Sequence, residues 1–229
     1  MKYLLLFLAL ISTQGWAIDR VKIVTEDLPP LSYKNNEGEV IGAATKRVRE
    51  LMAQAQIDYD IAILPWKRAL KNTLEEPNTL IYTILKTPQR EHNFEWFCPI
   101  ARPLKIYLYS LPDNSPSRLQ SIEDAKSSLV GVSRGSVAHG ILLSKGFKEG
   151  HNLVVTTGID VLKQNLQNGR LDYILVIDTA VADIPNISKV LPNSFSTEYI
   201  PCLAINKNSD EKIKERLRLA FSKLPAINN

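Results

Sequence analysis

Short apolar runs rich in Val, Ile and Leu alternate with stretches of helical spacing from Val21 to Leu224, and this alternation leaves the chain few folds. Residues 21–25, 57–64, 80–85, 104–109, 129–133, 153–156, 171–177 and 199–205 read as strands. Between them, Ala44, Val48, Leu51, Met52 and Ala55 recur at three- and four-residue intervals, which predicts an amphipathic helix over about 43–56. Pro65 opens a short helix carrying Trp66 and Leu70, because proline at the first helical position gives up only an N–H that has no partner there. Further helices are predicted from Ser136 to about Lys145, and from Val161 to Asn168 with Gly169 closing the turn. In a last helix Ser209 is the expected cap, and Ile213, Leu217, Ala220, Phe221 and Leu224 share one face.

Strand–helix alternation predicts an α/β architecture with mostly parallel sheets. In such sheets ligands bind beyond the carboxyl ends of the strands. The polar groups expected there are Thr25 and Glu26, Thr87 and Arg90, Ser133 to Ser136, and Asp178. The segment Thr87-Pro88-Gln89-Arg90, followed by the aromatic run Phe94-Glu95-Trp96-Phe97, sets one arginine in a loop between apolar segments. A guanidinium is the side chain best shaped to grip a carboxylate, through two parallel charge-assisted hydrogen bonds.

Composition narrows the functional classes. Residues 1–17 read as a secretory signal: Lys2 gives the positive start, Leu4 to Ile11 the apolar stretch, and Gly15-Trp16-Ala17 the cleavage site. The expected mature chain of roughly 212 residues (229 minus 17) is exported and soluble, and long enough to bury a substantial core. Of 28 Lys and Arg against 24 Asp and Glu, most alternate along helical segments, a pattern of solvated faces and not of a nucleic-acid stripe. Cys98 and Cys202 are the only cysteines; an even count in an oxidising compartment favours pairing, but sequence alone does not bring them together. The three histidines and two cysteines lack metal-ligand spacing, and no nucleotide-binding glycine motif is present, so neither metal nor cofactor is expected. Gly131-Val132-Ser133-Arg134-Gly135 matches the nucleophile elbow G-x-S-x-G, yet no Asp lies between Ser133 and His151, and Glu149 is two residues from that histidine. This order of residues argues against a hydrolase.

Five segments together resemble the bacterial extracellular solute-binding proteins of family 3. Glu26-Asp27-Leu28-Pro29-Pro30-Leu31-Ser32-Tyr33 with Gly38 to Gly42 is similar to the family's opening motif, and Pro65-Trp66-Lys67-Arg68-Ala69-Leu70 to its cleft-aromatic helix. Thr87 to Arg90 with Phe94 to Pro99 resembles its carboxylate-binding loop, Val130 to Ser136 its second-lobe loop, and Leu171 to Asp178 the strand ending in a ligand-binding acid. The resemblance implies two α/β lobes (a type II-like binding protein) that close on a ligand. Lobe one would span 18–101 plus 204–229, lobe two 106–197, and the hinge strands 102–105 and 198–203. Cys98 and Cys202 both fall near that hinge, so the resemblance makes a stiffening disulfide plausible.

The same resemblance implies a ligand chemistry. Arg90 would take a carboxylate, with the backbone N–H groups of Gly135 and Ser136 adding to the clamp. Asp178 would take an ammonium and Trp66 would cover the apolar part, while Thr87, Glu26 and Tyr33 are further binding candidates. The expected protein is a monomeric, non-enzymatic periplasmic receptor for an amino acid or related carboxylate, feeding an inner-membrane transporter permease and binding no nucleic acid. Leu31 and Leu85 stand where the family usually has an aromatic and a small polar residue, and Ser133 is smaller than usual. Two alternatives stay open: an exported cyclohexadienyl-dehydratase-like enzyme using Glu26 or His139 as acid–base group, and a sensor module signalling to a membrane partner.

Overall fold

The structure, a computed structural model, describes residues 20–112, 119–192, 196 and 198–227; the expected signal segment 1–17 lies outside the described residues. The first part of the chain forms strands β1 (Val21–Thr25), β2 (Tyr33–Lys34), β3 (Val40–Ile41), β4 (Tyr59–Ile63), β5 (Thr79–Leu85) and β6 (Phe94–Phe97). Helices α1 (Ala43–Ala55), α2 (Trp66–Glu75) and α3 (Pro88–Glu91) lie between them. The second part holds β7 (Leu104–Ser110), β8 (Val130–Ser133), β9 (Leu153–Thr156), β10 (Tyr173–Ile177), β11 (Ser188–Lys189) and β12 (Glu198–Tyr199), with α4 (Val137–Ser144) and α5 (Ile159–Gln167). The chain then finishes with β13 (Pro201–Asn206) and α6 (Glu211–Ser222).

Two sheets result. The first runs β4-β1-β5-β13-β6 and the second β11-β7-β10-β8-β9, with β12 paired to β7. Each is parallel on one side and antiparallel on the other. β4, β1 and β5 are mutually parallel, as are β9, β8 and β10. The antiparallel side arises where β7 enters the second sheet and β13 re-enters the first. The two crossing segments pair with each other, Glu198 opposite Lys105 and Tyr199 opposite Leu104. Within the expected hinge segment 198–203, the structure therefore gives Glu198–Tyr199 to the β7 side and everything from Pro201 onward to the first sheet.

The core follows from the sequence pattern. All seven residues of β5 are buried, as a central strand covered on both faces requires. The apolar face of α1 buries Ala44, Val48, Leu51, Met52 and Ala55, and full burial of each larger aliphatic side chain is worth about 1.5–3 kcal/mol. α6 packs beside α1 with Ile213, Leu217 and Ala220 inward. Its cap is Asp210, whose side chain accepts from the Lys212 N–H at 2.7 Å; the expected cap, Ser209, instead accepts from the Asn78 N–H and ties α6 to the start of β5. A carboxylate outcompetes a hydroxyl at that end of a helix because it also meets the positive end of the dipole. Cys98 and Cys202 form a disulfide, with Cα atoms 4.5 Å apart, between the end of β6 and β13. No helix among the described residues is long and apolar enough to cross a membrane.

Candidate functional site

The carboxyl ends of the two parallel strand groups face each other, and a small cavity of about 50 Å³ lies between them. A single buried water needs roughly 10–15 Å³, so this space holds a few waters or a small group, not a large ligand, while the lobes touch. The first lobe contributes Glu26, Trp66, Thr83, Leu85 and Arg90; Ser133, Ser136 and aliphatic side chains of β7, α4, α5 and β10 complete the wall.

Each first-lobe group is placed by a local cause. Glu26 follows β1, with the Ser32 hydroxyl donating to its backbone carbonyl at 2.9 Å. Trp66 starts α2 directly after Pro65 and is 4% exposed. Thr83 has φ +60° in the middle of β5, a left-handed conformation rare for a β-branched residue. The pairing of β5 with β13 shifts register between Cys202 and Leu203, and a bulge of this kind re-aims a side chain. Thr83 Oγ1 is held 2.9 Å from Thr25 Oγ1, which fixes the local distortion.

Arg90 and Trp66 already touch the opposite lobe. Arg90 Nη2 donates to the Gly135 carbonyl at 2.6 Å and Nη1 to the Leu85 carbonyl at 3.1 Å. Trp66 Nε1 donates to the same Gly135 carbonyl at 2.9 Å, and the Arg90 guanidinium lies 5.1 Å from the Trp66 ring centroid. Gly135 has φ +74°, a backbone shape that glycine adopts without strain, and this shape turns its carbonyl toward the first lobe. Burial lowers Arg90 to about 10, with Glu26 opposing the shift, so the guanidinium keeps its charge at neutral pH. Burial also pushes Glu26 up from 4.5 to about 7, against the lowering influence of Arg90 and with a further rise from Asp27.

The other expected ligand groups have different surroundings. The Gly135 N–H donates to His139 Nδ1 at 3.1 Å and the Ser136 N–H to the Ser133 carbonyl at 3.2 Å, so both N–H groups expected in the clamp are spent within their own loop. The Ser136 side chain caps α4 through the His139 N–H. Asp178 Oδ1 accepts from the Lys105 and Thr179 N–H groups at 3.3 and 3.1 Å; the residue lines a groove with Arg102 and Pro103, just before β7 and apart from the cavity. Thr87 lines an outer groove beside Arg90, and Tyr33 lies in the β2–β3 hairpin outside the cavity wall. Thr83 and the unpartnered buried hydroxyl of Ser133 are cavity groups that strand-end reading missed or undervalued. Nothing in the local sequence marks the bulge that aims Thr83 inward.

The G-x-S-x-G segment does not assemble a nucleophile. His139 receives the Gly135 N–H at Nδ1, and its Nε2 lies 3.0 Å from Glu149 Oε1, so neither ring nitrogen serves Ser133. Among the described residues no group of His, Cys, Asp and Glu is placed to hold a metal ion.

No protein-family model matches the chain, and no curated protein matches it. Solved structures place its fold among the two-lobe periplasmic binding proteins. An arginine-bound mutant of ArgBP from T. maritima matches with a TM-score of 0.77 at 18% identity, covering 90% of this chain and 96% of that one. The arginine-, lysine-, histidine-binding protein ArtJ from Geobacillus stearothermophilus matches with a TM-score of 0.74 at 17% identity, over 89% and 90% of the two chains. The amino acid ABC transporter substrate-binding protein AbpA from Streptococcus pneumoniae, bound to L-arginine, matches with a TM-score of 0.73 at 18% identity, over 89% and 88%.

Proposed function

We propose that the chain is an exported, periplasmic solute-binding protein that captures a small carboxylate-bearing solute, an amino acid or a related acid, between its lobes and presents it to a membrane transporter. The observation that carries this reading is Arg90: a charged guanidinium in the wall of the interlobe cavity, reaching across to the opposite lobe. Burial strengthens its attraction for an anion, because the local dielectric falls as the lobes meet. The structural neighbours include amino-acid-binding proteins, one of them an ABC transporter substrate-binding protein, which supports capture for uptake and favours binding over catalysis. The two-lobe form with paired crossing segments suits hinge closure around a ligand.

A thermal-shift screen with amino acids and small carboxylates, followed by calorimetry, identifies the solute. Arg90→Ala should then weaken binding by ~2–5 kcal/mol, the cost of leaving a buried charge unpaired. An affinity within a few-fold of the parent rules out the clamp. Consumption of a cyclic acid by the purified protein would replace this reading with the dehydratase-like one.

A further inference from the structure

The cavity offers its ligand an unusual charge balance. Arg90 is the cation in its wall, and Glu26 is the acid there among the described residues. The rest is mostly aliphatic: Leu85, Leu104, Ile106, Ile159 and Val176 are among the lining side chains. Asp178, to which the family resemblance gave an ammonium, lines a separate groove and not the cavity wall. Leu104 and Ile106 point into the cavity, so strand alternation puts Lys105, Tyr107 and Tyr109 on the opposite side. Asp178 bonds the Lys105 N–H, and its charge joins burial in raising Tyr109 on that side.

Building on the solute-capture reading, we infer that this site is made for a small, largely apolar monocarboxylate without an ammonium group, and that it discriminates against α-amino acids. The carboxylate meets Arg90, whose donors exceed the two bonds it makes within the protein. The apolar body meets the aliphatic wall. The buried Ser133 hydroxyl, without a partner, is left for one polar atom of the ligand. An ammonium arriving with the carboxylate would depend on Glu26, and a buried cation lacking an ionised partner is strongly disfavoured.

Glu26 gives the inference a signature. The charged groups acting on it are Arg90 from the short helix α3 and the neighbouring Asp27; Asp160 at the start of α5 lines the same side groove and acts on Asp27. A bound carboxylate adds negative charge beside Glu26 and favours its protonated form. Monocarboxylate affinity should therefore be highest below about pH 7 and fall as pH rises through it. An amino acid held through ionised Glu26 would show the opposite slope.

The test is calorimetry with 4-methylpentanoate and L-leucine, which share a carbon skeleton, at pH 6, 7 and 8, with L-arginine as a third probe. The expected result is 4-methylpentanoate binding at least about tenfold tighter than either amino acid at pH 6. Its affinity should decline by up to about tenfold per pH unit above 7, and this decline should be abolished in Glu26→Gln. Tighter binding of L-leucine or L-arginine, with affinity rising with pH, overturns the inference but leaves solute capture intact. Binding of 4-methylpentanoate that is indifferent to Arg90→Ala overturns the capture site itself.

Discussion

At the scale of single residues, Glu26 joins stability to pH. Its proton is held up to about pH 7 in the folded protein, against 4.5 for an ordinary glutamate. Between those values the folded state keeps a proton that the unfolded state releases, so stability from this residue is full below about 4.5 and is lost as pH rises to about 7. Glu26→Gln removes the ionisation. It should stabilise the ligand-free protein at pH 8 by on the order of 2 kcal/mol, with the gain vanishing near pH 4, as read by urea denaturation. No gain at pH 8 would mean that Glu26 is well solvated. The candidate cavity was legible in sequence where chemistry and position coincide: Arg90, Trp66 and Glu26 all line it as strand-end or helix-start residues. It was illegible where backbone direction decides. Asp178 follows its strand as expected, but the turn after β10 points its carboxylate at the β7 backbone. The N–H groups of Gly135 and Ser136 were committed to His139 and Ser133, contacts that no spacing rule encodes.

At the scale of elements, periodicity located the strands and helices well because burial sets periodicity. The face of α1 at 43–55 and the unbroken burial of β5 are direct readings of the pattern. Strand neighbours are another matter. Nothing in residues 199–205 says that this stretch divides, Tyr199 pairing with Leu104 and Pro201 onward inserting between β5 and β6. The disulfide marks that insertion: Cys98 directly follows β6 and Cys202 lies on the neighbouring β13, so their bond pins the returning strand within one lobe. It closes a loop of sequence separation 104 that contains the whole second sheet, and cross-links closing loops of that length restrict the unfolded chain strongly. Replacing both cysteines by serine should lower stability by ~2–5 kcal/mol, seen as a lower urea midpoint. Solute affinity should stay within a few-fold, because neither cysteine lines the cavity. A variant of unchanged midpoint would show that the strand needs no such pin.

At the scale of the whole molecule, one backbone carbonyl takes donors from across the cleft. Gly135, carried by the loop into α4, accepts from both Trp66 Nε1 and Arg90 Nη2 of the other lobe. Two donors on one acceptor give the closed arrangement a specific holding contact. The balance between open and closed should therefore respond to either donor. Arg90 is also the proposed carboxylate clamp, so Trp66 is the cleaner probe. Trp66→Phe keeps an aromatic ring against Arg90 and the cleft wall but deletes the indole N–H. A hydrogen bond of this type is worth about 0.5–1.5 kcal/mol net, which moves a two-state equilibrium by roughly two- to tenfold. Small-angle scattering of the ligand-free variant should give a larger radius of gyration than the parent, and saturating solute should restore the compact value. Unfolding free energy should change by less than the loss of a packed ring, since the ring remains. If the ligand-free variant is as compact as the parent, the Gly135 contact does not hold the lobes together, and the paired crossing segments at Leu104 and Tyr199 set the closure instead.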